Sequence, residues 1–426
     1  MTRRLVLVNS AWLMADKIVR LGVGLIVWVW LARHFGPEGF GLWNYAIAFT
    51  ALFGAFATLG MDGVLVRELV RDPSRTGMLL GTAMGLRLLA SALAAFASVG
   101  TLLWLRPGEW LPLVLVALNA VVLVFQSAQV IDLYFQARMH ARPAVLAVNM
   151  AFLVTTIGRL GLLAIEAPMA WFAVTLVIEA GLAASLLVVA YRSAERNNTP
   201  WQFDAHVAKA LLLESWPLLL SSLAVMIYMR MDQVMLASMA GDEAVGQFSA
   251  ALRIAEVWYF IPMALMSAAF PAMMKKREEG PEAYERYVQR LYDAMAWLGL
   301  TVAIITSLAA SWVVPLLYGK QFTPAAEILS IQIWAGVTVT MSFVHSRWLL
   351  AEGLQRYGLV YTLLGACVNV SLNLILIPRF GPHGAAWATL VTQIGLLPAQ
   401  LMFPKARRNF LLMVNAVTAP YRLVKQ

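Results

Sequence analysis

Residues 9–33 read NSAWLMADKIVRLGVGLIVWVWLAR, an apolar stretch with three charged side chains near its start. About 20 helical residues cross the hydrocarbon core of a bilayer, so this stretch is long enough to span a membrane. At about 100° per residue, Asp16 and Arg20 lie about 40° apart, and Lys17 lies about 100° from Asp16. A charge in hydrocarbon costs at least about 2.5–3.5 kcal/mol on insertion scales. We therefore expect the charged stripe of this helix to face a partner or a water-filled cavity inside a helix bundle.

The composition is that of a membrane protein. The chain has 426 residues, of which 61% are hydrophobic and 13% charged, and its mean hydropathy is +0.73. Soluble domains carry about 25% charged residues. The alternating pattern of an outer-membrane barrel is absent, so we predict an all-α, polytopic membrane protein. The single cysteine, Cys367, excludes an internal disulfide, and we expect neither a metal site nor a cofactor.

Apolar segments long enough to span a bilayer recur along the chain and predict 12 transmembrane helices. With both termini on one side, about 21 of the 32 Lys and Arg residues lie outside the helices on that side, and four lie in or at the edge of the opposite loops, with Arg33 the last residue of the first predicted helix. Because cytoplasmic loops are enriched in Lys and Arg, the asymmetry predicts cytoplasmic N- and C-termini. The predicted helices are 9–33, 41–66, 78–104, 110–136, 144–165, 169–191, 210–238, 245–273, 291–317, 326–351, 357–377 and 384–403.

A hydrophilic connection in the middle of the chain divides these helices into two halves. We predict an N-terminal six-helix lobe at residues 1–192, a cytoplasmic linker at 193–209 and a C-terminal six-helix lobe at 210–404. The last segment, 405–426, is basic and too short to span, so we expect it to lie at the membrane interface.

An internal repeat supports this division. The segments LARHFGPEGFG at residues 31–41 and LASMAGDEAVG at residues 236–246 share five identical residues at an offset of 205 positions. Both segments connect the first and second helix of their half, so the halves have the same orientation. We therefore expect two pseudo-symmetric lobes around a central cavity.

Seven basic residues fall inside the predicted helices. Such a residue either pairs with a neighbouring acid or marks a functional site. Local pairs are available, since Asp16 and Arg20 are four residues apart and Arg253 and Glu256 are three apart. As a set, however, these residues are rich in arginine, whose planar donors suit phosphate and carboxylate groups. We predict a cationic cavity for an anionic substrate, formed by Lys17, Arg20, Arg87, Arg230, Arg253, Arg159 and Arg347.

Acidic residues inside the predicted helices are candidates for ion coupling. A carboxylate that takes up and releases a proton or a sodium ion can drive transport through a membrane. The sequence does not distinguish H⁺ from Na⁺. The candidates are Asp16, Asp62, Asp132, Glu179, Asp232 and Glu256.

The sequence lacks the motifs of the common enzyme classes. No Walker A loop, HExxH helix or G-x-S-x-G elbow occurs, and the five histidines are scattered. A nucleotide-driven pump would need a soluble ATPase domain or partner, and no segment is long enough for such a domain. The pattern predicts a secondary transporter or flippase and not an enzyme.

Four segments resemble Wzx-type polysaccharide flippases of the multidrug/oligosaccharidyl-lipid/polysaccharide exporter superfamily. They are NSAW at residues 9–12, RHFGPEGFG at 33–41, DQVML at 232–236 with the following 241–246, and PRFGPHGAA at 378–386. The resemblance implies two six-helix lobes that open a central cavity alternately to each side.

The same resemblance implies the substrate, an undecaprenyl-pyrophosphate-linked glycan such as an O-antigen, capsule or exopolysaccharide repeat unit. It also implies that buried basic residues of the first and seventh helices bind this substrate, here Lys17, Arg20 and Arg230. The expected partners are this glycan, membrane lipids, and a polysaccharide polymerase with its chain-length regulator. We expect a monomer that binds no nucleic acid.

Three other functions stay open at this point. A lipid II flippase of the same superfamily commonly has two further C-terminal helices, which the tail of this chain lacks. A multidrug/cation antiporter would favour an acidic or aromatic cavity. A membrane-embedded oligosaccharide polymerase or ligase usually needs a large outer loop with catalytic residues, and the predicted outer loops are short.

Overall fold

The structure, a computed structural model, describes the backbone of residues 3–194 and 200–418 and the side chains of residues 20–194 and 200–418. Within these ranges every regular element is a helix, which confirms the predicted all-α class. The helices are α1 (Arg3–Ala57), α2 (Asp62–Arg71), α3 (Thr76–Leu105), α4 (Trp110–Gln126), α5 (Val130–Ala137), α6 (Arg142–Ala164), α7 (Met169–Ala194), α8 (Ala205–Ala240), α9 (Asp242–Val257), α10 (Phe260–Glu279), α11 (Pro281–Tyr318), α12 (Pro324–Ala351), α13 (Gln355–Gly395) and α14 (Arg407–Thr418).

Ten helical stretches of the described chain are long and apolar enough to cross a membrane. Two of them, Arg20–Arg71 with 52 residues and Gln355–Met402 with 48, are more than twice the length that one crossing needs. Each contains a glycine with a positive φ that breaks the helix: Gly36 (φ 68°) in α1 and Gly381 (φ 54°) in α13. The chain is therefore a multi-pass membrane protein, while the count of 12 crossings stays a prediction that depends on counting these two stretches twice.

The outward surface of the helices is apolar, as a lipid environment requires. Trp104 and Leu308 are each 80% exposed, and Phe96 is 79% exposed. A soluble protein rarely exposes so many large apolar side chains together, because each would be in contact with water. These side chains are suited to contact with acyl chains.

The contacts divide the chain into two compact units. Unit 1 comprises residues 1–35 and 42–230, and unit 2 comprises residues 36–41 and 231–426. The division falls inside α8, between Arg230 and Met231. The predicted limits of the two lobes, 1–192 and 210–404, stay predictions.

The described part of the predicted linker 193–209 packs onto unit 1. The Gln202 N–H donates to the Gly77 carbonyl at 3.4 Å, and the Asp204 N–H donates to Thr82 Oγ1 at 3.0 Å. Asp204 in turn accepts from the Val207 N–H at 2.8 Å at the start of α8, and this bond lowers the pKa of Asp204 because it stabilises the carboxylate. The linker thus fixes the first turn of α8, whereas residues 195–199 lie outside the described chain.

Helix α14, in the predicted basic tail, packs on unit 2. Asn409 is 1% exposed, and its Oδ1 accepts from the Tyr292 hydroxyl at 3.0 Å. The Asn409 amide nitrogen lies 2.9 Å from His345 Nδ1. These contacts bind α14 to α11 and α12, and the rest of the tail, residues 419–426, lies outside the described chain.

The two segments of the internal repeat have the same backbone conformation and contact each other within unit 2. Gly36 (φ 68°, ψ 177°) and Gly241 (φ 85°, ψ 171°) stand at equivalent positions ahead of a helix. A Cβ added to Gly41 would lie 1.7 Å from the Asp242 carbonyl oxygen, and one added to Gly246 would lie 1.8 Å from the Pro37 carbonyl oxygen. The backbones therefore approach so closely that only glycine fits at residues 41 and 246.

We expect Gly41→Ala and Gly246→Ala each to lower the free energy of unfolding by about 1–3 kcal/mol, because the added methyl group forces two backbones apart. Thermal unfolding of the purified protein in detergent measures this. The control is Gly100→Ala in α3, where a Cβ meets nothing within 4 Å. There the change should be neutral or stabilising by about 0.5–1 kcal/mol, since alanine is the better helix former. Equal effects at the three glycines would contradict the close approach.

Candidate functional site

Unit 1 contains a partly open cavity of about 320 Å³ between α1, α4, α6 and α7. Its volume lies near the lower end of the range of small-molecule sites. Most of the lining is apolar, but polar side chains converge on the cavity, as they do in specific binding sites. The polar side chains of the lining are Arg20, Asn119, Gln126, Gln129 and Glu179.

The α4 wall presents three amides. Asn119, Gln126 and Gln129 are separated by seven and three residues, which keeps them on one face of a helix. A 3-10 turn at residues 127–129 follows α4, and in such a turn side chains three apart eclipse each other. The turn therefore brings Gln126 and Gln129 into line, and the Asn119 amide nitrogen is fixed by a 2.9 Å bond to the Leu115 carbonyl.

The α7 wall combines one carboxylate with small side chains. Glu179 lines the cavity together with Ala180, Ala183 and Ala184 on the same face of α7. Because alanine side chains end at Cβ, they leave open space beside the Glu179 carboxylate.

Arg20 is the only arginine among the described lining residues. It is half-buried, and its Cζ lies 5.5 Å from the centre of the Phe152 ring, in cation–π geometry. Lys17 and Asp16 precede it on α1, but their side chains lie outside the described residues. The structure thus places one of the predicted substrate-binding residues at the cavity.

Arg159 lies behind the cavity and positions Glu179. Its Nε donates to Thr175 Oγ1 at 2.9 Å, and one of its terminal nitrogens donates to Glu179 Oε2 at 2.6 Å. The same carboxylate oxygen accepts from the Thr155 hydroxyl at 3.1 Å. The side chain of Arg159 is 8% exposed, so its charge is matched by Glu179 inside the lobe.

Arg159→Met should destabilise unit 1 by about 1–3 kcal/mol, because it leaves the partly exposed Glu179 carboxylate without its counter-charge. The double variant Arg159→Met/Glu179→Gln should recover much of this loss, since it removes both charges together. Thermal unfolding of Arg159→Met, Glu179→Gln and the double variant gives the coupling energy between the two side chains. Additive effects of the two substitutions would contradict a coupled pair.

The other predicted basic residues are distributed over both units. Arg87 is buried and forms an ion pair with Asp62 in unit 1. In unit 2, the Arg347 guanidinium lies 5.5 Å from the centre of the Phe270 ring. Each of these two arginines therefore has its own neighbour within its unit. Arg230 is half-buried on α8, and Arg253 lies on α9.

Two of the predicted ion-coupling acids lie elsewhere in the described chain. Glu256 lies on α9, and the Asp132 carboxylate on α5 accepts from the Gln136 amide at 2.9 Å.

Unit 2 contains a second polar site, around Asp232 of α8. Asp232 is 6% exposed, and its two carboxylate oxygens accept from the Asn373 amide at 2.5 Å and from the Thr389 hydroxyl at 2.9 Å. The Asn373 amide nitrogen also donates to Asn369 Oδ1 at 3.1 Å. Asn373 Oδ1 is buried without a hydrogen bond to any described residue.

This site gathers oxygen atoms, the ligands that hard cations prefer. Asp232 supplies one negative charge, Thr389 a hydroxyl oxygen and Asn369 an amide oxygen, while Asn373 presents its amide nitrogen to the carboxylate. Such a set of ligands matches a proton or a monovalent cation, because a single positive charge balances the single negative charge of the Asp232 carboxylate. Of the five predicted ion-coupling residues whose side chains are described, Asp232 is the most deeply buried.

The neutral residues of both sites are not among the site residues predicted from the sequence. Asn369 and Asn373 stand four residues apart in the apolar segment CVNVSLNLIL, so their spacing was available as a signal. Asn119, Gln126, Gln129 and Thr389 carry no charge and gave no comparable signal.

The helical fold is shared with a membrane protein of known structure. A solved structure of the lipid II flippase MurJ, in an inward closed conformation, is similar with a TM-score of 0.73 over 98% of this chain and 92% of that chain. The sequences are 15% identical, so the likeness concerns the fold.

The family model described as "Polysaccharide biosynthesis protein" matches residues 6–277, and the chain belongs to this family. The MatE family model matches residues 217–375. The resemblance predicted from the sequence is confirmed.

Two relatives are named for the export of polysaccharides. The putative O-antigen transporter of Shigella dysenteriae is 27% identical over 43% of this chain and 46% of its own length, so the chain spans about half of that relative. The EPS I polysaccharide export inner membrane protein EpsE of Ralstonia nicotianae is 24% identical over 75% of this chain and 76% of its own length. Both names describe transport and not catalysis.

Proposed function

We propose that the protein is a flippase that moves an undecaprenyl-pyrophosphate-linked oligosaccharide from the inner to the outer leaflet of the bacterial inner membrane. The observation that carries this proposal is the cavity of unit 1, where Arg20, three amides and Glu179 converge among membrane-spanning helices. A polar cavity at this position serves a polar cargo that could not otherwise enter hydrocarbon. The names of the two relatives support a glycan as this cargo.

Arg20 provides the positive charge for the anionic part of the head group. Guanidinium donors match phosphate oxygens in geometry and charge. Lys17 on the same helix and Arg230 on α8 complete the proposed basic set, and the lipid tail stays in the bilayer while the head group crosses. The protein acts by alternating access, with both termini in the cytoplasm, and works alongside a polymerase and a chain-length regulator as a monomer.

Asp232 couples this movement to an ion gradient. The carboxylate and its neutral oxygen neighbours hold a proton or a sodium ion in one state and release it in another. Because Asp232 is enclosed by Asn373 and Thr389, release of the ion requires these partners to move.

A second candidate is a cation antiporter, favoured by the MatE match over residues 217–375 and by the buried carboxylate of Asp232. The two candidates differ in the phenotype of a strain that lacks the gene. Loss of a flippase leaves lipid-linked glycan on the inner leaflet, whereas loss of an antiporter leaves export intact and raises sensitivity to cationic drugs.

Arg20→Ala should reduce glycan export in the complemented deletion strain at least about tenfold, while Arg20→Lys keeps part of it because the charge remains. Analysis of lipid-linked glycan in each leaflet measures this, with membrane insertion checked in parallel. The control is Arg71→Ala, since this arginine has a 77% exposed side chain at the end of α2. Unimpaired export by a Lys17, Arg20 and Arg230 triple alanine variant would refute the cationic site.

Asp232→Asn should abolish the response of transport to an imposed gradient, because it removes the charge while keeping the shape of the side chain. The measurement is glycan translocation in proteoliposomes under a Na⁺ or a pH gradient. Glu278→Gln, at an exposed carboxylate of the same unit, should leave the response unchanged. A gradient response that survives in the Asp232 variant would exclude this residue as the coupling site.

A further inference from the structure

The cavity of unit 1 has a composition that a site for pyrophosphate alone would not need. Pyrophosphate carries several negative charges, and a site for it gathers several cations. Here the described lining offers one arginine, Arg20, and places the carboxylate of Glu179 in the same cavity. Because like charges repel, Glu179 disfavours a polyanion in the space beside it.

The remaining polar groups suit hydroxyls. Each amide of Asn119, Gln126 and Gln129 offers an acceptor oxygen, and the two glutamines also offer unused donors. The side chains of Gln126 and Gln129 make no hydrogen bond to any other described residue, so their amides are available to a ligand. Glu179 accepts from Arg159 and Thr155 through Oε2, and its Oε1 is left to accept from a hydroxyl.

An aromatic side chain in the lining and the volume of the cavity also suit a sugar ring. Phe125 lies in the lining beside the two glutamines and supplies an aromatic face. A sugar ring has an apolar face of C–H groups and an edge of hydroxyls, which correspond to Phe125 and to the amides. The volume of about 320 Å³ fits one ring and not a whole oligosaccharide.

We propose that this cavity is a subsite for a single glycosyl residue, which the side-chain amides of Gln126 and Gln129 bind. The subsite sets the preference of the transporter for its glycan. The inference rests on the proposed flippase function and deepens it. The amide wall recognises the sugar, whereas Arg20 recognises the anionic part of the head group. Glu179, held by Arg159, accepts from a hydroxyl of the sugar.

Binding of defined carriers to the purified full-length protein in nanodiscs tests this. The probes are undecaprenyl pyrophosphate without a sugar and the same carrier with one galactose, glucose or N-acetylglucosamine residue. The wild-type protein should bind at least one of the three glycosylated carriers about tenfold more tightly than the bare carrier, as expected for a few added hydrogen bonds. The double variant Gln126→Ala/Gln129→Ala should lose this preference and keep its affinity for the bare carrier.

Two further variants make the result specific. Gln136→Ala removes an exposed glutamine of α5 that does not line the cavity, and it should retain the preference. Ala183→Leu fills the space beside Glu179, and it should lose the preference even though every amide is intact. Thermal unfolding confirms that each variant is folded.

The outcomes separate this inference from the proposed function. If the wild-type protein binds the bare carrier as tightly as all three glycosylated carriers, or if the double glutamine variant keeps the preference, the subsite is wrong. If the subsite is wrong but binding of the bare carrier still depends on Arg20, the flippase proposal stands without the subsite. If the wild-type protein binds none of the four carriers, both proposals fail.

Discussion

The cost of an unmatched charge inside an apolar helix bundle governs the internal structure of this protein. Removing a charged side chain from water is expensive unless an opposite charge or hydrogen bonds replace the water. In unit 1, Arg159 satisfies this condition with Glu179 and Thr175, and Arg87 does so with Asp62. In unit 2, neutral amide and hydroxyl donors surround Asp232. Each of these charged side chains is thus bonded to side chains of a helix other than its own.

This pairing distinguishes a charge that positions a lining residue from a charge that lines the cavity. Arg159 lies behind the cavity and donates hydrogen bonds to Thr175 and Glu179. It therefore positions Glu179 but does not line the cavity itself. Arg20 lines the cavity itself, where its guanidinium packs on Phe152. A count of buried arginines overestimates the positive potential of a cavity, because some of them are already neutralised. The cavity of unit 1 is consequently mixed in character, with amides, one guanidinium and one carboxylate.

Glycine provides the second constraint, through close contact of backbones. The repeated turns at residues 36–41 and 241–246 share left-handed glycines at their starts and meet at Gly41 and Gly246. A side chain at either contact glycine would overlap a carbonyl group of the other turn. The sequence repeat therefore corresponds to a structural contact in which each copy restricts the other.

The sequence by itself determined the membrane-spanning, all-α character, because the hydrophobicity and length of the segments directly reflect the bilayer. It also identified the embedded charges and the repeat, since both are visible in single residues and their spacing. Only the tertiary structure decided which charge pairs with which, because Arg159 and Glu179 or Asp232 and Asn373 meet across helices that are distant in the chain. The neutral residues of the sites, such as Gln126 and Thr389, were equally beyond the sequence, since an uncharged polar side chain acquires a role only from the groups that packing places beside it.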